Sequence, residues 1–313
     1  MTGQVVYGYQ HCGMTVSSPL ALPELADFAI PEAVNPDFTL AIGPVSPMAE
    51  AVSTWRTMRF AADGTVEWML AGYGTMRVSG GRTLTIAPEP GVSDLALRSV
   101  MIGPAQALLW AQRGKIPMHA SAVLNGDTAL CISGRSGAGK SALAALLADQ
   151  GLPVIADDFA VFESAGGFPR LLPGSTVLRL WDPVLAAIPA ARAIEVAHRD
   201  GGKWIVRIGD PIVPPTSVAA GDIVLLAPRG EQFTIRSASG PELLANWRAL
   251  IHLPQAMLAL GMVPAIGAHL NALLKSGMRV WMVTMPADMA GARAACKLLL
   301  DTLAQPMEVG VSK

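Results

Sequence analysis

Apolar and polar positions alternate in short runs along the first 92 residues, and proline and glycine break the runs. TMRV and TLTI flank Ser79-Gly80-Gly81-Arg82, a pattern that predicts a tight hairpin. The patches PLALPEL, IPEAVNPDF and IGPVSP predict loops between short strands. Residues 1–93 are therefore expected to form a β-rich N-terminal domain. No paired carboxylates, Ser/His/Asp set or metal spacing stands out in it.

The period then changes. Asp94 to Arg113 carries helical spacing, read as one helix leading into a second domain, 94–313. Two apolar runs, His119 to Leu124 and Thr128 to Ser133, flank Asn125-Gly126-Asp127 and predict a hairpin. SALAALLADQ (141–150) predicts a helix stopped by Gly151, and Leu152 to Ala156 a short strand ending in two aspartates. DIVLLAP (222–228) and QFTIRSA (232–238) read as a strand pair. From Pro241 the chain reads as helical, except for the strand-like RVWMVTMP (279–286), and a last helix is expected from about Ala292 to Leu303.

Composition narrows the classes. The chain has 313 residues, half of them hydrophobic and 15% charged, which excludes a largely disordered protein and provides a core. A net charge of −1 offers no global basic field for nucleic acid or an anionic membrane, so any phosphate binding must be local. The three separated cysteines, with no C-x-x-C, argue against a disulfide framework or zinc site and fit a reducing, cytoplasmic setting. Cys131 reads as a core residue. The N-terminus lacks the features of a secretory signal. Leu253 to Leu274 has no charged residue, but Pro254, Gly261, Pro264 and His269 interrupt it; two buried helices joined near Val263-Pro264 are expected, with no membrane span.

Candidate chemistry begins at Gly134-Arg135-Ser136-Gly137-Ala138-Gly139-Lys140-Ser141, which satisfies G-x-x-x-x-G-K-[ST] at every fixed position. Such glycines let backbone N–H groups converge on phosphate oxygens, and the following helix adds its positive end. Lys140 would reach the β- and γ-phosphates of a nucleotide, and the Ser141 hydroxyl would complete a Mg²⁺ shell. A chance match in a chain of this length has odds of roughly one in a hundred, and the strand–loop–helix context lowers them further.

Asp157 and Asp158 end the next buried strand, where one carboxylate could hold Mg²⁺ and the other accept a proton from an attacking hydroxyl. Neighbours on an extended chain point to opposite faces, so they share a site only if the backbone turns there. A histidine on an apolar strand, as His119 is, is more often a core residue than a functional one. His11, His198, His252 and His269 show no ligand spacing and read as structural or surface residues.

The run HASAVLNGDTALCISGRSGAGKSALAALLADQGLPVIADDFAVF resembles the catalytic core of HPr kinase/phosphorylase. A weaker likeness extends through LRLW (178–181), Gly202-Lys203 and PADMAGARAACKLLLDTL. The opening YGYQHCGMTVSSPLALPEL resembles HPr-kinase-like proteins encoded beside peptide-maturation genes, some of which phosphorylate the C-terminal serine of lasso-peptide precursors. The resemblance implies an α/β fold, with a P-loop kinase core of the HPr-kinase type behind the β-rich N-terminal domain. It implies a serine kinase using ATP and Mg²⁺ on a peptide or protein. It makes Asp157 the proton acceptor, assigns Asp158 to the metal or the first carboxylate, and puts His119 near the reacting phosphate. Gly202-Lys203 would lie on a mobile loop contacting substrate. Arg135 and Ala142 stand where the family favours acidic residues, and the family's phosphorylase signature is missing, so kinase activity alone is expected. HPr kinases form hexamers, but the divergent N-terminal region leaves the oligomeric state open.

The rivals are a P-loop ATPase or GTPase switch, a small-molecule kinase and a non-catalytic binding module. No well-placed Gln or Glu to orient water is evident. Arg192, Arg199 and Arg207 are scattered rather than clustered as in a lid helix. The intact Lys140, Ser141 and aspartate pair argue against a module without catalysis.

Overall fold

The computed structural model describes residues 6–31, 35–165, 168–197 and 201–305; His198 and Arg199 lie outside them. The N-terminal strands are β1 (Tyr7–His11), β2 (Met14–Ser18), β3 (Ala29–Ile30), β4 (Phe38–Ile42), β5 (Ser53–Trp55), β6 (Met58–Phe60), β7 (Val66–Leu70), β8 (Gly74–Ser79) and β9 (Thr83–Pro88). They form one sheet in the order β3-β1-β2-β4-β9-β8-β7-β6-β5. Gly80 and Gly81 both take positive φ in the expected β8–β9 turn. Alternation sets the buried face: Met76 and Val78 of β8 and Leu84 and Ile86 of β9 point inward.

The expected single helix at 94–113 is two, α1 (Asp94–Met101) and α2 (Pro104–Gln112). Pro104 has no N–H to donate and pushes Gly103 out of helical geometry, so the helix restarts there. Both helices pack into the core of the nine-stranded sheet, where Trp110 meets Phe38 edge-on at 5.3 Å.

The second sheet is built around parallel strands. Its members are β10 (Ala120–Asn125), β11 (Thr128–Gly134), β12 (Val154–Ala156), β13 (Val161–Ala165), β14 (Phe168–Leu172), β18 (Val218–Leu226), β19 (Thr234–Ser237) and β20 (Arg279–Thr284). β11 pairs with β18 and β18 with β20, all parallel. The strand pair expected at 222–238 does not form: β20 lies between β18 and β19 and pairs with both. Helix α3 (Lys140–Ala148) and the last helix, α9 (Met289–Leu303), share one core with this sheet. The last helix starts three residues before the expected Ala292, at a cap where Asp288 accepts from the Gly291 N–H at 2.7 Å. α5 (Gly240–Ala245), α6 (Trp247–Leu250), α7 (Pro254–Ala259) and α8 (Val263–Lys275) follow β19, and Leu243, Leu250, Met257 and Leu270 enter a separate core. The break between α7 and α8 falls where proline and glycine predict it. Among the described residues no helix is long and apolar enough to cross a membrane.

A third, three-stranded sheet, β15 (Leu178–Trp181), β17 (Lys203–Ile208) and β16 (Ala191–Val196), stands beside α4 (Asp182–Ala186). A 3-10 turn of the N-terminal region, Pro23–Phe28, reaches this unit. There Arg207 pairs with Asp27 at 2.5 Å, and the Thr176 hydroxyl donates to the same carboxylate.

Candidate active site

The glycine-rich loop joins β11 to α3. Gly134, Gly137 and Gly139 take φ of 148°, 80° and 100°, backbone that other L residues rarely adopt. A Cβ on Gly139 would stand 2.8 Å from Nη2 of Arg229, which approaches from the loop after β18. α3 starts without a side-chain cap, so its first N–H groups are available to an anion. Lys140 is buried at the first position of α3, and its ammonium donates to the carbonyls of Gly134 and Arg135 at 3.1 and 3.2 Å. Burial lowers its pKa, against the opposing pull of Asp158 and Asp157.

β12 carries the aspartates to the same place. Asp157 Oδ1 accepts from the Ser141 hydroxyl at 2.8 Å and from the Ser121 hydroxyl at 2.7 Å, and Oδ2 accepts from the Arg179 N–H at 3.0 Å. Asp158 takes φ 71°, and this turn lets adjacent residues face one cavity. Its carboxylate lies 3.6 Å from His252 Nε2 and 3.8 Å from Arg179 Nη1. Burial raises the Asp157 pKa, helped by the charge of Asp158 and opposed by the hydroxyl donors. Burial acts on Asp158 too, but His252 and then Arg179 outweigh it and hold that carboxyl well below the usual range. The pair thus holds one carboxylate inclined to take a proton and one firmly ionised.

His119 lies just before β10, fixed by its N–H to the Leu250 carbonyl at 2.8 Å. Its ring meets that of His252 edge-on at 5.2 Å. Burial, then Lys140, depresses its pKa to about 3, so it is neutral at physiological pH. His252 is a correction to the reading from spacing: it belongs to the site, brought there by an N–H bond to Pro117 across the chain. Spacing also missed Ser121, Arg179 and Arg229; only folding assembles them. Lys203 lines the cavity as well, with Nζ 5.5 Å from the Trp181 ring.

Together these groups enclose a cavity of about 290 Å³ floored by Gly137, Gly139, Lys140 and Ser141 and walled by Asp157, Asp158 and His119. Arg135 and Ala138 face a neighbouring cavity of about 460 Å³ on the other side of the loop, and Ser136 lines both. Among the described residues no group of three or more His, Cys, Asp or Glu side chains could hold a metal. The donors at hand are hard oxygens, Ser141 Oγ and the two carboxylates. They suit Mg²⁺, which binds through one or two carboxylates and completes its shell with water and phosphate.

Burial of imidazole has a further consequence. His11 and His269 are also depressed, each to about 4. The unfolded imidazoles protonate near 6.5, whereas the folded ones stay neutral to about 4, and His119 to about 3. The unfolded state therefore binds more protons in this window, and stability falls as pH drops below about 6.5. The thermal midpoint is expected to decrease steadily from pH 7 to 5. His269→Leu should flatten that slope, since His269 Nε2 is buried without a partner. Equal slopes for variant and wild type would refute the assignment.

No protein-family model and no curated protein matches the chain. Among solved structures it is similar to the HPr(Ser) kinase/phosphatase from Coxiella burnetii. The match covers 59% of this chain and 93% of that one, with 12% sequence identity and a TM-score of 0.30. A likeness at that level carries nothing about function, which must be read from the site's own residues.

Proposed function

We propose that this protein is an ATP-dependent kinase that phosphorylates a serine of a peptide or protein. The observation that carries the reading is the bond from Ser141 Oγ to Asp157 Oδ1, 2.8 Å, beside the phosphate loop. It joins the glycine loop's helix to a half-buried carboxylate of raised proton affinity. Loop amides and Lys140 hold phosphate oxygens and the charge that develops on them. Asp157 takes the proton of the acceptor hydroxyl. Asp158, held ionised by His252 and Arg179, fixes the field around it. Bound Mg²⁺, held by Ser141 and Asp158, would neutralise phosphate charge. His119, being neutral, can donate to a phosphate oxygen without adding a charge. The N-terminal sheet is the candidate surface for the acceptor. By the family resemblance, the acceptor is the C-terminal serine of a lasso-peptide precursor. A cytoplasmic enzyme supplied with ATP and holding three free buried cysteines fits this reading.

The test is transfer of labelled γ-phosphate from ATP to a serine-ended precursor peptide, an HPr-type carrier protein, or water alone. Label on serine is expected; phosphate released equally with and without acceptor would replace the kinase with an ATPase switch.

The same Ser141–Asp157 contact favours a second division of labour, in which Asp157 is the carboxylate nearer the metal. Mg²⁺ titration of the residual transfer separates the two. Asp158→Asn raises the half-saturating Mg²⁺ concentration if Asp158 holds the metal, and Asp157→Asn does so if the roles are exchanged.

A further inference from the structure

The N-terminal unit also forms the back wall of the carboxylate pair. Glu24, in the 3-10 turn, is 5% exposed and lies between two arginines of other elements. Its Oε1 is 4.0 Å from Arg179 Nη2, and its Oε2 is 3.8 Å from Arg98 Nε and has no hydrogen-bond partner. Arg98 is held in turn by Glu195 of β16 at 2.6 Å. Arg179 meets both aspartates: its backbone N–H donates to Asp157, and its guanidinium Nη1 faces Asp158. Gly103, at the α1–α2 break, closes the wall: a Cβ there would lie 2.8 Å from Asp158 Oδ2.

We infer that Glu24 is a positioning residue of the transfer site, acting through Arg179. The inference rests on the kinase reading and adds to it a contribution from the N-terminal region to the catalytic step. The physical reason is charge placement in a poorly solvated space. Arg179 has two anionic neighbours, Glu24 and Asp158, and the guanidinium settles between them. Removing the charge of Glu24 leaves Asp158 as the counter-ion of the guanidinium among the described residues, so the Arg179 side chain moves toward Asp158 and draws that carboxylate from its place beside Asp157. The contacts of 3.8 to 4.0 Å are too long for direct hydrogen bonds, so the link is electrostatic and a neutral isostere should break it. Glu24 touches neither loop nor acceptor, so nucleotide binding should not depend on it.

The experiment compares wild type, Glu24→Gln, Arg179→Gln and the double variant. It measures kcat for transfer and, separately, affinity for a fluorescent ATP analogue. Glu24→Gln is expected to lower kcat by about ten- to a hundredfold, the usual range for a residue that orients a reacting group. Nucleotide affinity should stay unchanged. In the Arg179→Gln background the same substitution should have no further effect, because the element it positions is gone. Glu24→Asp keeps the charge in this wall but shortens its reach toward Arg179, and should reproduce the kcat loss if the Gln variant does not fold. An unchanged kcat in Glu24→Gln, additive losses in the double variant, or a loss confined to nucleotide affinity would each overturn the inference while leaving the kinase reading intact. A wild-type protein that transfers phosphate to no acceptor would overturn both.

Discussion

Lys140→Met is expected to abolish measurable transfer, lowering the rate by about a thousandfold or more. Lys140 is buried at the start of α3 and its ammonium is tied to the carbonyls of Gly134 and Arg135, so it marks the floor of the cavity rather than the surface. On the kinase reading, a group held there would meet phosphate oxygens with little reorganisation. Burial lowers its pKa, while both aspartates favour the charged form. Methionine fills similar volume but removes the charge and the donors. Both nucleotide affinity and turnover should fall, measured by analogue binding and labelled transfer. A variant with near-normal transfer would show that the loop does not hold the transferred phosphate, and the kinase reading would fall with it.

Asp157→Asn should behave differently. Nucleotide binding should survive, because the loop and Lys140 are intact. Transfer should fall by about 10²- to 10⁴-fold, the range for loss of a general base. The pH dependence carries the diagnosis. Burial raises the proton affinity of Asp157, so the wild-type rate should climb with pH through a limb above the ordinary carboxylate range. His119 should add no limb between pH 5 and 8, since it is already neutral there. The Asn variant should lose the acid limb and retain a flat residual rate. If the limb persists in Asp157→Asn, another group accepts the proton, and Asp158→Asn becomes the variant to test. Asn suits that position because it tolerates the φ of 71° that Asp158 holds.

Much of the site is legible in the chain because its parts are local. The loop motif needs glycines, a lysine and a serine within eight consecutive positions, and strand–loop–helix order follows from the run of apolar residues on either side. The two aspartates are adjacent, and their position at a strand end is written in VIADD. The β8–β9 hairpin and the α7–α8 break are likewise local, set by glycine and proline. Local steric rules act over a few residues, and a reader of sequence can apply them directly.

What the sequence left open depends on long-range contact. Nothing in spacing distinguishes His252 from His269, yet one faces Asp158 and the other is half-buried near Phe162. β20 separates two strands that read as partners, because the pairing of strands is settled by which faces bury the most apolar surface, not by nearness in sequence. Arg179 and Glu24 meet from elements far apart in the chain, and no periodicity records that meeting. The sequence by itself determined where the glycine loop lies and which carboxylates stand nearest it, since those groups lie on one continuous loop–helix–strand segment. The tertiary structure alone decided how the two carboxylates differ, because their proton affinities are set by burial and by charges delivered from distant elements.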